Sequence, residues 1–138
     1  MKKPAVILGL FCSVVLLPAM AETKIYSCQY QSRVALVSKD NQWLPTPFPV
    51  DKPFVLVAEN ELLQLDRVAK VLISKPSKIS CQQILETESE YCVSDIATSL
   101  VFNHLNLTGA VSSVGAAAID KVDTGSLMWL SSFTCAEG

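Results

Sequence analysis

The chain has 138 residues and a formal net charge of −2, and 50% of its residues are hydrophobic. This length fits one domain with a single core. The acidic balance excludes the basic surface by which proteins bind nucleic acid, and beyond residue 21 no apolar run approaches the roughly 20 residues that cross a bilayer. We therefore expect no nucleic-acid partner and no stable membrane insertion.

Residues 1–21 have the pattern of a bacterial secretory signal. Two lysines precede the apolar segment 5–17, and Ala19-Met20-Ala21 supplies the small residues that a signal peptidase needs. Cleavage after Ala21 would leave one periplasmic domain, residues 22–138. Cys12 would be removed with the signal, so four cysteines would fold in an oxidising compartment.

The first half of the mature chain predicts short strands separated by turns. Strands are predicted at 24–30, 33–38 and 54–58, with a polar turn at 39–42 before a return strand that starts at Trp43. Four prolines make 45–53 an extended surface loop, because proline lacks a ladder donor. Residues 59–73 mix helical leucine spacing with β-branched residues, so we predict a helix at 60–66 and a strand at 67–73.

The second half continues the alternation of strands and turns. The predicted elements are strands at 78–84, 91–93, 98–103 and 127–135, a polar loop at 86–89 and a turn at 123–126. Gly109 and Gly115 lie in a run of small residues, which is typical of a strand pair or one bent strand with a close backbone approach. Together the elements predict an all-β fold, a small antiparallel sandwich or barrel with one short helix.

The four remaining cysteines predict two structural disulfides. Cys81 and Cys92 flank the acidic loop, so a bridge across a hairpin is the simplest pairing. Cys28 and Cys135 lie in the first and last strands, which are commonly neighbours in closed β domains. The spacing matches neither a redox C-x-x-C motif nor a zinc cluster, so we expect no metal and no cofactor.

The net negative charge is concentrated in the second half of the chain. Residues 79–138 carry seven carboxylates against the single Lys121, an asymmetry that steers cationic partners. A disulfide that closes the acidic loop would order it and lower the entropy cost of binding. The predicted partner-binding residues are Glu86, Glu88, Glu90, the aromatic anchor Tyr91, and Trp43 beside the proline-rich loop.

His104 is the only histidine, and no nucleophile is marked near it. The chain lacks a Gly-x-Ser-x-Gly motif, and every mature cysteine is assigned to a bridge. We therefore predict that the protein is not an enzyme. Two other interpretations stay open, namely an enzyme that uses His104 and a small-ligand or lipid carrier that uses the barrel interior.

The order of several short motifs resembles small exported β proteins of Gram-negative bacteria. The motifs are Tyr26-Ser27-Cys28, Trp43 after a polar turn, the Cys81/Cys92 pair, Val101-Phe102-Asn103 and Phe133-Thr134-Cys135. This group includes periplasmic lysozyme inhibitors and immunity proteins against type VI secreted peptidoglycan hydrolases. The chain lacks the lipidation cysteine and the Ser/Gly-rich inhibitory loop of the membrane-bound lysozyme inhibitors, so the immunity proteins fit better.

The resemblance implies a periplasmic immunity or inhibitor protein that binds a secreted cell-wall hydrolase or toxin and plugs its cleft. Enzymes that degrade an anionic wall polymer often have basic clefts, so an acidic loop would be attracted to them. A homodimer would be a way to cover the edge strands of so small a sheet.

Overall fold

The computed structural model describes residues 21–40, 42–49, 52–72, 78–114 and 127–138. These residues form nine strands and one α-helix. The strands are β1 (Thr23–Lys39), β2 (Gln42–Thr46), β3 (Phe54–Glu59), β4 (Leu62–Leu63), β5 (Ile79–Ile84), β6 (Ser89–Ser94), β7 (Thr98–Asn103), β8 (Thr108–Ser113) and β9 (Leu127–Glu137), and the helix is α1 (Leu65–Val71). The signal predicted at 1–21, apart from its last residue, and the turn predicted at 123–126 lie outside the described residues.

Strand β1 is the longest element and joins the two strands predicted at 24–30 and 33–38. Its inward side chains alternate until the pairing with β9 shifts register between Tyr30 and Ser32. A bulge at such a shift bends the strand and increases its twist. The first part of β1 pairs with β3 and the last part pairs with β2, so two different strands pair with one bent strand.

All strand pairs are antiparallel, in the order β4-β3-β1-β9-β8-β7-β6-β5, with β2 attached to β1. Helix α1 packs against both β3 and β5, and it thereby links the two ends of the sheet at a seam between β4 and β5. Across this seam the Gln83 amide donates a hydrogen bond to the Glu61 carbonyl oxygen at 3.2 Å. The result is a nearly closed, barrel-like sheet, which confirms the predicted fold class.

Two local predictions need correction. The helix predicted at 60–66 lies at 65–71, and the strand predicted at 67–73 does not form over the described residues, because Val68 and Val71 are buried on the helix. Burial of these two side chains outweighs their β propensity. The loop predicted at 45–53 begins at residue 47 instead, because Pro45 and Thr46 are the last two residues of β2. Within the described chain β2 pairs only with β1, so it is an edge strand. An edge strand tolerates a proline such as Pro45, which has no backbone N–H to donate.

Aromatic rings fill the barrel interior. Tyr26 packs against Phe102 with ring centroids 5.1 Å apart, and Phe102 stacks on Phe133 at 6.2 Å. Gly109 lies opposite Phe133, whose ring occupies the space of a Cβ atom there. The expected close approach is thus present at Gly109, while Gly115 lies outside the described residues.

Both predicted disulfides are present. Cys28 is bonded to Cys135, and Cys81 to Cys92, each pair joining directly opposed residues of neighbouring strands. Such bridges are typical of proteins from oxidising compartments. Among the described residues, helix α1 is far too short to span a bilayer, and no other helix qualifies.

Candidate functional site

The acidic loop is the tip of a hairpin formed by β5 and β6. The Cys81–Cys92 bridge lies in the middle of this hairpin, and the tip consists of residues 85–88. Residues 85–87 form a single 3₁₀ turn, and the Thr87 hydroxyl donates a hydrogen bond to the Ile84 carbonyl oxygen at 3.2 Å. The stapled hairpin expected from the cysteine spacing is therefore present.

The tip is also bonded to the neighbouring strand. The Asn103 amide, at the end of β7, donates a hydrogen bond to the Thr87 carbonyl oxygen at 2.7 Å. The backbone N–H of His104 donates to the Glu88 carbonyl oxygen at 3.0 Å. The Asn103 carboxamide oxygen accepts from Leu105 and Asn106 and folds the β7–β8 turn beside the tip. These bonds hold the tip in one conformation relative to the barrel.

The tip exposes leucine and glutamate side chains together. Leu85 is 83% exposed, and Leu105 on the adjacent turn is 75% exposed. Glu86 and Glu88 are also exposed, as predicted. Glu88 has a φ of 50°, in the left-handed region that glutamate rarely adopts. The tip and the adjacent turn therefore present two exposed leucines beside two carboxylates.

Glu90 does not belong to this surface, and its predicted contact with a partner is wrong. Only 1% of the residue is exposed. Its carboxylate accepts a hydrogen bond from the Leu63 backbone N–H at 2.9 Å and lies 3.3 Å from the His104 Nε2 atom. Glu90 and Cys92 are two residues apart on β6, so both face the interior. The carboxylate therefore joins β6 to β4 across the barrel seam.

His104 is held between this carboxylate and two aromatic rings. Its ring makes edge contacts with Phe102 at 4.9 Å and with Tyr26 at 6.2 Å, measured between centroids. Burial raises the pKa of the Tyr26 phenol, so this group stays protonated at neutral pH. His104 is thus oriented by a buried carboxylate, as histidines often are at functional sites.

A surface pocket of about 400 Å³ lies between the hairpin tip and the seam. It is lined by Lys24, Tyr26, Glu61, Gln83, Ile84, Leu85, Glu88, Ser89, His104 and Leu105. The pocket therefore joins residues from the start of β1, the β3–β4 turn, the hairpin tip and the β7–β8 turn. These four segments are separated from one another in the sequence and come together only in the folded chain.

Carboxylates surround the one lysine of the pocket wall. The Lys24 ammonium lies 3.7 Å from the Glu22 carboxylate, outside the pocket lining. Glu22, then Glu137, raise the pKa of Lys24 above its ordinary value, and Glu61 adds a smaller effect. Among the described residues Glu88 takes part in no ion pair. The wall therefore has more negative than positive charge.

The other two predicted contact residues occupy different places. Tyr91 is half-buried on β6 and, next to the inward Glu90, faces the outside of the barrel near the tip. Trp43 is opposite Ser38 near the far end of β1, twelve residues along that strand from Tyr26. The structure therefore brings Glu86, Glu88 and Tyr91 together and places Trp43 elsewhere.

The candidate metal ligands and the histidine of this region are engaged in other bonds. In the described part of the chain, the residues with metal-ligand spacing are Cys81, Glu90 and Cys92, and both sulfurs are in the disulfide. The described hydrogen bond of the His104 ring goes to Glu90 and not to a serine or threonine hydroxyl. Comparison of the chain with models of known families, with curated proteins and with solved structures gave no significant match.

Proposed function

We propose that this chain is a periplasmic immunity or inhibitor protein that binds a secreted peptidoglycan hydrolase and blocks its cleft. The contact is made by the tip of the β5–β6 hairpin, where exposed Leu85 is flanked by the carboxylates of Glu86 and Glu88. The observation that carries the proposal is this exposed tip, which is held by a disulfide and by hydrogen bonds from β7.

Preorganisation of the tip supports tight binding. A loop that is already ordered loses little conformational entropy when a partner closes around it. The Cys81–Cys92 bridge fixes the two strands, and the Asn103 and His104 bonds fix the turn. A narrow hairpin of this kind has the shape required to enter an enzyme cleft.

The chemistry of the tip supports a basic cleft as its target. Carboxylates at an exposed tip speed the encounter with a positively charged surface, while an apolar side chain gains energy once water is expelled. Leu85 can provide the apolar contact and the two glutamates the attraction. Two disulfides also support export, because such bridges persist in oxidising compartments.

The carrier interpretation has less support. Aromatic side chains occupy the interior positions of the described strands, including Tyr26, Phe102 and Phe133. The pocket of about 400 Å³ lies at the surface beside the hairpin tip instead. A rigid exposed tip is explained by a protein partner and not by a ligand held inside the barrel.

The proposal predicts protection of a cell from the hydrolase encoded beside the gene of this chain. Exported alone, that enzyme should lyse the host; co-expression of the wild-type chain should prevent lysis, measured as culture density. Leu85→Asp should abolish protection, because a charge at the apolar contact opposes burial. Leu44→Asp, at an exposed leucine on β2, is the matched control and should protect fully.

Both variants need unchanged circular dichroism spectra for this comparison. The proposal fails if the wild-type chain gives no protection, or if the neighbouring gene encodes no exported wall hydrolase. Equal protection by Leu85→Asp and the wild type would contradict the role of the tip.

A further inference from the structure

We propose that the pocket beside the hairpin tip is a socket for an arginine side chain of the partner. This inference rests on the proposed function and deepens it, since it adds a second contact in which a side chain of the partner enters a pocket of this chain. The tip enters the partner's cleft, and a guanidinium group of the partner enters this pocket.

The pocket is lined by two glutamates that come from different segments of the chain. Glu61 belongs to the β3–β4 turn and Glu88 to the hairpin tip, and both line the cavity. The two segments are held in place across the seam, because the Gln83 amide is bonded to the Glu61 backbone oxygen. A ligand in the cavity therefore meets negative groups from two elements of the fold.

The charge of the pocket favours a cation. The one lysine in the wall is Lys24, whose ammonium group lies 3.7 Å from the Glu22 carboxylate. Because Glu22 is outside the cavity lining, it offsets the positive charge of Lys24 without using a carboxylate of the pocket. His104, which also lines the cavity, lies 3.3 Å from the buried Glu90 carboxylate. An anion would therefore be repelled from this pocket and a cation attracted.

The apolar part of the wall favours a cation on an aliphatic stem. Ile84, Leu85 and Leu105 line the cavity and are exposed to solvent. Arginine can lay its methylene groups along such a surface while its charged head stays with polar partners. Its planar fork of donors can bond to more than one carboxylate oxygen at once, which the point charge of lysine does less well.

The volume agrees with this assignment. About 400 Å³ falls in the lower part of the range of small-ligand sites, roughly 300–1,000 Å³. A single side chain with a few ordered waters fits such a space. The floor is made by Tyr26 and His104, whose rings are fixed by packing, so the socket is preformed.

The test uses the single histidine as a reporter. In the ¹³C-labelled mature chain, the one imidazole Cε1–Hε1 resonance comes from His104, which lines the pocket. We expect N-acetyl-arginine-methylamide to shift this resonance saturably, with a dissociation constant in the millimolar range. The citrulline analogue has the same length and a planar neutral head, and it should give no saturable shift.

Two charge-neutral variants locate the binding. Glu61→Gln and Glu88→Gln should each weaken arginine binding by roughly threefold or more, because each removes one carboxylate while keeping side-chain size. Asp40→Asn is the matched control, since it removes an exposed carboxylate at the β1–β2 turn and suits the left-handed backbone there. It should bind arginine like the wild type.

The possible outcomes separate this inference from the proposed function. Equal shifts with arginine and citrulline analogues, or none with either, would overturn the socket even if the hydrolase is inhibited. A saturable shift with chitotriose and none with arginine would overturn it in favour of a sugar site. Specific arginine binding without protection from the hydrolase would support the socket and contradict the proposed function.

Discussion

Replacement of Glu90 by alanine is expected to lower the free energy of unfolding by about 3–5 kcal/mol. The carboxylate is buried, accepts a hydrogen bond from the Leu63 N–H at 2.9 Å and lies 3.3 Å from His104 Nε2. Its removal leaves that N–H without an acceptor, leaves the imidazole without its partner and opens a cavity. Because the bond joins β6 to β4, the loss also weakens closure of the barrel.

Urea unfolding followed by tryptophan fluorescence measures this effect. Glu90→Gln keeps an acceptor oxygen and side-chain volume, so we expect it to cost about 1 kcal/mol. Glu88→Ala, two residues away and exposed, should change stability by less than about 0.5 kcal/mol. A Glu90→Ala variant as stable as Glu88→Ala would show that the buried carboxylate does not hold the seam.

Loss of the Cys28–Cys135 disulfide is expected to destabilise the protein by about 4.7 kcal/mol, and loss of Cys81–Cys92 by about 3 kcal/mol. The sequence separations are 107 and 11 residues, so the first bridge restricts a far longer loop of the unfolded chain. Each value is a large part of the stability of a small domain. The paired substitutions Cys28→Ala with Cys135→Ala, and Cys81→Ala with Cys92→Ala, remove the bridges without leaving free thiols.

The two variants should also differ in where they loosen the structure. Without Cys81–Cys92, amide exchange should rise mainly in the hairpin and its tip, because that bridge staples only β5 to β6. Without Cys28–Cys135, exchange should rise across the barrel, because β1 and β9 are central strands. A larger loss of stability from the shorter bridge would contradict the chain-entropy argument.

Local patterns in the sequence were sufficient for most of the fold. Period-two alternation placed the strands, and the cysteine positions gave both disulfides. The helix was misplaced because Val68 and Val71 favour strands in isolation, whereas burial against the barrel decides their conformation. The bulge in β1 had no distinct local signal, so one strand was predicted as two.

The environment of Glu90 was predicted wrongly from the sequence. The charge of the side chain suggested exposure to solvent, but Glu90 lies two residues from Cys92 on β6, and both side chains are buried on the inner face of the strand. The pocket was missed for another reason. Lys24, Glu61 and Glu88 are distant in sequence and meet because the two edges of the sheet approach each other. No local sequence pattern predicts that residues so far apart in the chain will line one pocket.

The barrel and the hairpin tip have separate tasks in this account. The buried Glu90 carboxylate and the two disulfides hold the scaffold closed. We propose that the exposed tip and the adjoining pocket then bind the partner. Changes at Glu86 or Glu88 should consequently alter binding while leaving stability nearly unchanged.

The association rate constant with the hydrolase tests the central claim most directly. It is measured by stopped-flow fluorescence for the wild type and for the double variant Glu86→Lys with Glu88→Lys, at low and high salt. We predict roughly tenfold slower association of the variant at low salt, with the difference shrinking as salt screens the charges. An unchanged rate constant in a folded variant would contradict the account.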